Sequence, residues 1–204
     1  MSTAAMNHRR TTPFKDDHAR FEAGRLGMWL FLASLGMLFA ASLIGYLVIR
    51  VTIDWPRDLP VVPPILWIST LLLGVSSLTM QSAVNAARRN EITRLQMTMA
   101  VTTLLAGLFL VMQSFAWWAW FDQLGERWAD SNRYRWALTG FFVMTGIHAL
   151  HVLGGIWPML LVTARAFAGR YTAERHHGVH YCAMYWHFLG AVWVVLFITL
   201  LFGT

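Results

Sequence analysis

Five long apolar stretches alternate with short polar ones along the chain. They run over 26–49, 61–87, 95–121, 136–164 and 180–202, and none has an Asp, Glu, Lys or Arg in its interior. A helix rises about 1.5 Å per residue, so roughly 20 apolar residues cross the ~30 Å hydrocarbon layer of a bilayer. Every run meets that length. Lipid offers no partner to backbone N–H and C=O groups, so a spanning segment must satisfy them within itself. The pattern therefore predicts an all-α integral membrane protein: five transmembrane helices in one domain, 26–204, behind a polar tail, 1–25. The tail is too long, and the first apolar run too extended, for a cleaved signal peptide. It reads as a cytosolic leader to a retained helix.

The connections fit this division. The segment "DWPRDLPVVPP" carries Pro56, Pro60, Pro63 and Pro64, which end one helix and open the next without losing a needed hydrogen bond. "ARRNEITR" is a short basic turn, "DQLGERWADSNRYR" is polar enough for a short surface helix, and "FAGRYTAERHHGVH" is basic and rich in histidine.

Composition sharpens the picture. Hydrophobic residues make up 57% of the 204 and charged residues only 13%, against about 25% in soluble domains. The net charge of +6 does not point to nucleic acid, because its distribution is topological. The tail and the second and fourth loops hold Arg9, Arg10, Lys15, Arg20, Arg25, Arg88, Arg89, Arg94, Arg165, Arg170 and Arg175. The other two loops hold Arg50, Arg57, Arg127, Arg133 and Arg135. The positive-inside rule then puts the N-terminus in the cytoplasm and the C-terminus outside. Trp29, Trp55, Trp117, Trp118, Trp120, Trp128 and Trp136 lie near span ends, as an interfacial belt requires. The single cysteine, Cys182, excludes an intrachain disulfide and a cysteine metal cluster.

With no acid or base in the spans, the chain lacks the groups by which pumps and ion-coupled transporters hold charge in the membrane. Candidate chemistry falls to histidine. His148 and His151 are three apart and share a helix face; His187 lies on the last span. As metal ligands they are poorly placed. Counted from the span ends at 1.5 Å per residue, His151 and His187 differ by ~10 Å in depth, whereas a metal–nitrogen bond is ~2.1 Å. The spans also supply no carboxylate to orient them. Interhelical hydrogen bonding is the favoured role, with Thr139, Thr145 and Gln113 as partners and Gly140, Gly146, Gly154 and Gly155 permitting close approach. The loop "ERHHGVH", including His177, reads as a face for lipid headgroups or a partner subunit.

The residues also carry a resemblance. "FFVMTGIHALHVLGG" (141–155) resembles a Phe–x–x–Thr–Gly–x–His–Gly–x–His–Val–x–x–Gly signature of subunit III of haem–copper terminal oxidases. "MYWHFLGAVWVVLF" (184–197) is similar to that family's last helix, with its Tyr–Trp–His–Phe–Val–Asp–x–x–Trp pattern. "RLGMWLFLASLGMLF" (25–39) and "LWISTLLLGVSSLT" (66–79) are weaker matches in the right order. The resemblance implies the five-span bacterial form in the inner membrane. The chain would bind no haem or copper itself. Those cofactors would lie in partner subunits I and II, and this chain would hold structural phospholipid and support the catalytic subunit in proton-coupled electron transport to oxygen. It implies an interface role for Arg25, His148, His151, His177, Trp186 and His187. Three departures stand out: family acids are replaced by Leu35, Ala116 and Gly190, so roles tied to an embedded carboxylate do not transfer. Two other readings stay open at this level, an accessory subunit of a nitric oxide reductase and a free-standing haem- or metal-binding membrane protein.

Overall fold

A computed structural model describes residues 17–54, 63–124 and 132–202. They form α1 (Asp17–Thr52), α2 (Ile65–Arg88), α3 (Ile92–Leu124), α4 (Asn132–Phe167) and α5 (His177–Leu201), with no strand among the described residues. All five helices are long and apolar enough to cross a membrane. Most of the first and third loops lies outside the described residues, including 125–131 of the stretch expected to form a surface helix, whose two ends belong to α3 and α4.

Three of the helices, α1, α3 and α4, outrun the apolar segments at both ends. α1 starts at Asp17 rather than at residue 26, within what reads from sequence as a polar tail. The reason is local. Helical hydrogen bonding does not stop where lipid stops, and polar side chains reach water from the extra turns. There Arg25 pairs with Glu22 at 2.7 Å and lies over the Phe21 ring. This ion pair is exposed and contributes little by itself. The Phe21 ring packs on α5, 4.6 Å from His177 and 5.5 Å from His180 between centroids, and ties the extension to the bundle.

α2, α3, α4 and α5 pack in a closed ring, each on its chain neighbour and α2 on α5; α1 lies outside against the α4–α5 seam. The ring encloses Met80, Leu95, Met99, Phe109, Met159, Trp186 and Leu189, all almost wholly buried. Outward positions such as Leu30, Leu71, Leu104 and Leu150 are exposed and apolar, as a lipid-facing surface must be. Lipid is as apolar as these side chains, so helix association rests on close packing and interhelical hydrogen bonds.

Two turns close with the same device. Asn90 (φ 59°) follows α2 and Gly169 (φ 64°) follows α4. In each, a paired set of amide bonds caps the last turn: Glu91 N–H to Ala86 O and Asn90 N–H to Ala87 O, then Arg170 N–H to Arg165 O and Gly169 N–H to Ala166 O. These are Schellman caps, which need the left-handed conformation. A Cβ on Gly169 meets no atom within 4 Å, so Gly169→Ala carries only the backbone penalty. A loss of about 1–2 kcal/mol is expected, read as a lower melting temperature of the purified subunit. Asn90→Gly should not lower it.

Candidate functional site

Polar contacts cross the bundle at successive depths. From the end where α3 begins, Gln96 Nε2 donates to the Ala166 carbonyl (3.1 Å), Thr103 pairs with Thr163 (3.0 Å), and Thr102 donates to Thr79 (2.8 Å). Deeper, α5 is fastened to α2 three times. His187 Nδ1 lies 3.2 Å from Ser77 Oγ, Trp186 Nε1–H donates to Ser76 Oγ (3.0 Å), and Trp193 Nε1–H donates to Thr70 Oγ1 (3.0 Å). Gln113 Nε2 donates to Ser69 Oγ (3.3 Å) and joins α3 to α2. Ser76 and Thr70 pass their own protons to Leu73 O and Leu66 O. Each hydroxyl is thus a donor within α2 and an acceptor for an indole of α5.

Trp186 and His187 are therefore fasteners of α5 to α2. His148 and His151 behave differently from expectation. His151 Nδ1–H donates within its own helix, to Ile147 O at 2.7 Å. What crosses the helices at that point is Tyr185, whose hydroxyl donates to the His151 carbonyl (2.9 Å). His148 is 3% exposed and neither ring nitrogen has a protein partner. The expected partners are engaged elsewhere: Thr145 donates to Phe141 O and Gln113 to Ser69. The hydrogen bonds depend on which way each helix face turns, and that is not fixed by spacing. The shared face of the pair holds, since Phe39 of α1 lies edge-on to both rings at 6.0 and 5.2 Å. A separation by face adds to the expected difference in depth, because His151 abuts α1 while His187 turns to α2. Among the described residues, no three His, Cys, Asp or Glu side chains gather as a metal would need.

The glycines of α4 admit aromatic rings. The Tyr185 ring sits so close to Gly155 that a Cβ there would lie 2.6 Å from Cε1. The Tyr46 ring lies against Gly140 in the same way, 3.0 Å from such an atom. Tyr185 and Trp193 are not among the partners expected from the sequence. The available signal was a Tyr or Trp in mid-span, whose polar atom needs a partner when buried.

At the basic end, Arg25 and Trp29 of α1 and His180 and Met184 of α5 line a depression of about 700 Å³. Further along the same seam, Gly36, Phe39, Ala40 and Leu43 of α1 face Phe188, Ala191 and Val195 of α5 across an apolar groove of about 270 Å³. His177 lies beside the depression, against Phe21, and so joins α1 to α5. The Tyr181 hydroxyl donates to the Phe21 carbonyl (3.0 Å) and reinforces that joint. In the α4–α5 loop, burial pushes the Tyr171 phenol up from its ordinary value, with Arg165 opposing. The three positions where the resembling family carries acids, Leu35, Ala116 and Gly190, are all buried.

Comparison with known proteins agrees with these features. The profile of a family described as cytochrome c oxidase subunit III matches residues 9–204. Cytochrome c oxidase subunit 3 of Synechocystis sp. is 30% identical, over 89% of this chain and 76% of its own. The protein of the same name from Thermostichus vulcanus is 31% identical, over 87% and 85%. Cytochrome bo(3) ubiquinol oxidase subunit 3 of Pseudomonas aeruginosa is 30% identical, over 97% and 96%.

Proposed function

The chain belongs to the cytochrome c oxidase subunit III family of haem–copper oxidases, and on that premise we propose that it is the non-catalytic, lipid-holding subunit of a bacterial respiratory oxidase. It packs beside subunit I, in an assembly that also contains subunit II. Haem and copper reside in those partners, where electrons reach oxygen and protons are moved. The basic end lies in the cytoplasm, the C-terminus on the other side of the inner membrane. Its own contribution is to hold phospholipid and to brace the catalytic subunit. Proton collection by an embedded acid is not part of this role, since Leu35, Ala116 and Gly190 stand at those positions.

The observation that carries the lipid role is the α1–α5 seam. A depression lined by a guanidinium paired with the Glu22 carboxylate, an imidazole and an indole sits at the basic end, and an apolar groove follows it towards the membrane centre. An anionic headgroup with an acyl chain has that same order of chemistry. A basic side chain near the membrane surface attracts anionic lipid by about 1 kcal/mol, or roughly fivefold in affinity. Arg25→Gln should therefore lower the phospholipid retained by the purified complex, read by lipid extraction and mass spectrometry, while haem content stays the same. Unchanged retention of anionic lipid would count against the seam as the lipid site.

A further inference from the structure

We propose that the interior between α3, α4 and α5 binds one ordered water molecule, held by His148, Gln113 and Thr145.

Three observations converge. First, His148 is a buried polar group with both nitrogens unmatched by the protein. It stacks on Trp193 (5.4 Å, 30° between planes) and meets Phe39 edge-on, so its position is fixed by packing. An imidazole left without any partner in such a place bears the full desolvation penalty of a buried polar group. Second, His148 lines a cavity of about 20 Å³, together with Gln113, Thr145, Trp117, Trp193 and Val152. A water needs at least about 10–15 Å³ measured this way, so the space takes one and not two. Third, the lining has the right valence. The neutral imidazole offers one N–H and one lone pair in diverging directions, so a single water meets one of the two. Gln113, whose Nε2 is turned to Ser69, retains carbonyl acceptor capacity, and Thr145, which donates to Phe141 O, retains hydroxyl lone pairs. Two to four polar partners are what an internal water requires.

Size also discriminates between sites. The Trp120 indole N–H is likewise buried and without a partner, but the neighbouring space it lines has a volume of about 0 Å³. Of these two spaces, the His148 cavity has both the unmatched polar group and the room. The water would join α4 to α3 deeper in the membrane than the Gln96–Ala166 and Thr103–Thr163 contacts described above.

The test is water-edited solid-state NMR on the intact complex containing ¹⁵N-histidine, with the His148 resonances assigned by their loss in His148→Leu. The expected result is magnetisation transfer from a bound water to the imidazole and a ¹⁵N shift displaced from that of a free ring nitrogen. Free-nitrogen shifts with no transfer overturn the proposal. If the His148→Leu complex does not assemble, a high-resolution cryo-electron-microscopy map of the unaltered complex decides. Density within hydrogen-bonding distance of His148 supports the water. An empty cavity, in a map that resolves other internal waters, refutes it.

Discussion

Replacing Trp186 with alanine is expected to destabilise the bundle by about 3–5 kcal/mol, the range for deleting a large buried aromatic. Trp186 is 0% exposed and lies where α5 meets α2. In a membrane the loss does not come from moving apolar surface into water, since lipid covers apolar surface as well as protein does. It comes from dispersion contacts that a void cannot supply and from the bond to Ser76 Oγ. Trp186→Phe separates the two. It keeps most of the volume and removes the N–H donor, whose bond is worth about 0.6–2 kcal/mol. Thermal melting of the detergent-purified subunit should therefore rank unaltered protein, Trp186→Phe and Trp186→Ala in descending order. If the phenylalanine variant melts as low as the alanine one, the hydrogen bond and not the packing carries the joint.

The second large effect is expected at Gly155. A Cβ there would lie 2.6 and 3.1 Å from the Tyr185 ring and 3.4 Å from Leu189 Cδ1. The ring is not free to swing aside. Its hydroxyl is bonded to the His151 carbonyl, and its face stacks on Phe31 of α1, 6.0 Å between centroids. Relief therefore requires breaking that bond or parting α4 from α5. Gly155→Ala should cost about 1–3 kcal/mol, the range for overpacking a filled core. Tyr185→Leu in the same chain should recover part of the loss. The pair would then show a coupling within the 0.5–3 kcal/mol seen for residues in contact. Equal losses with and without the tyrosine would mean that the glycine is needed for the backbone of α4 and not for the ring.

The contrast between these two residues shows what the sequence makes legible. Exclusion of charge from five runs is a direct physical demand of lipid, so the spans could be read without a structure. Their ends could not. Phe21, Glu22 and Arg25 belong to α1 because they pair with one another and pack on His177 and His180, and those partners lie some 155 residues away along the chain. Trp186 stood out through its motif, yet its bond to Ser76 depends on the rotation of α2 about its own axis. The histidine spacing revealed that His148 and His151 share a face. It did not reveal that the first has no protein partner and the second bonds its own helix. Gly155 was legible as a place of close approach, but periodicity cannot tell an approaching backbone from an approaching ring. The buried positions of Leu35, Ala116 and Gly190 are consistent with the loss of acids there, since a lone carboxylate in the same place would be costly to bury.

The measurement that bears most directly on the central claim is affinity purification of the tagged chain from native membranes, with an optical spectrum and mass spectrometry of what accompanies it. As subunit III of an oxidase, it should bring down a haem- and copper-containing subunit I together with subunit II. The haem absorbance should remain with those partners when this chain is stripped away. A chain that purifies with no haem–copper subunit, or that keeps a Soret band when isolated alone, would contradict the account.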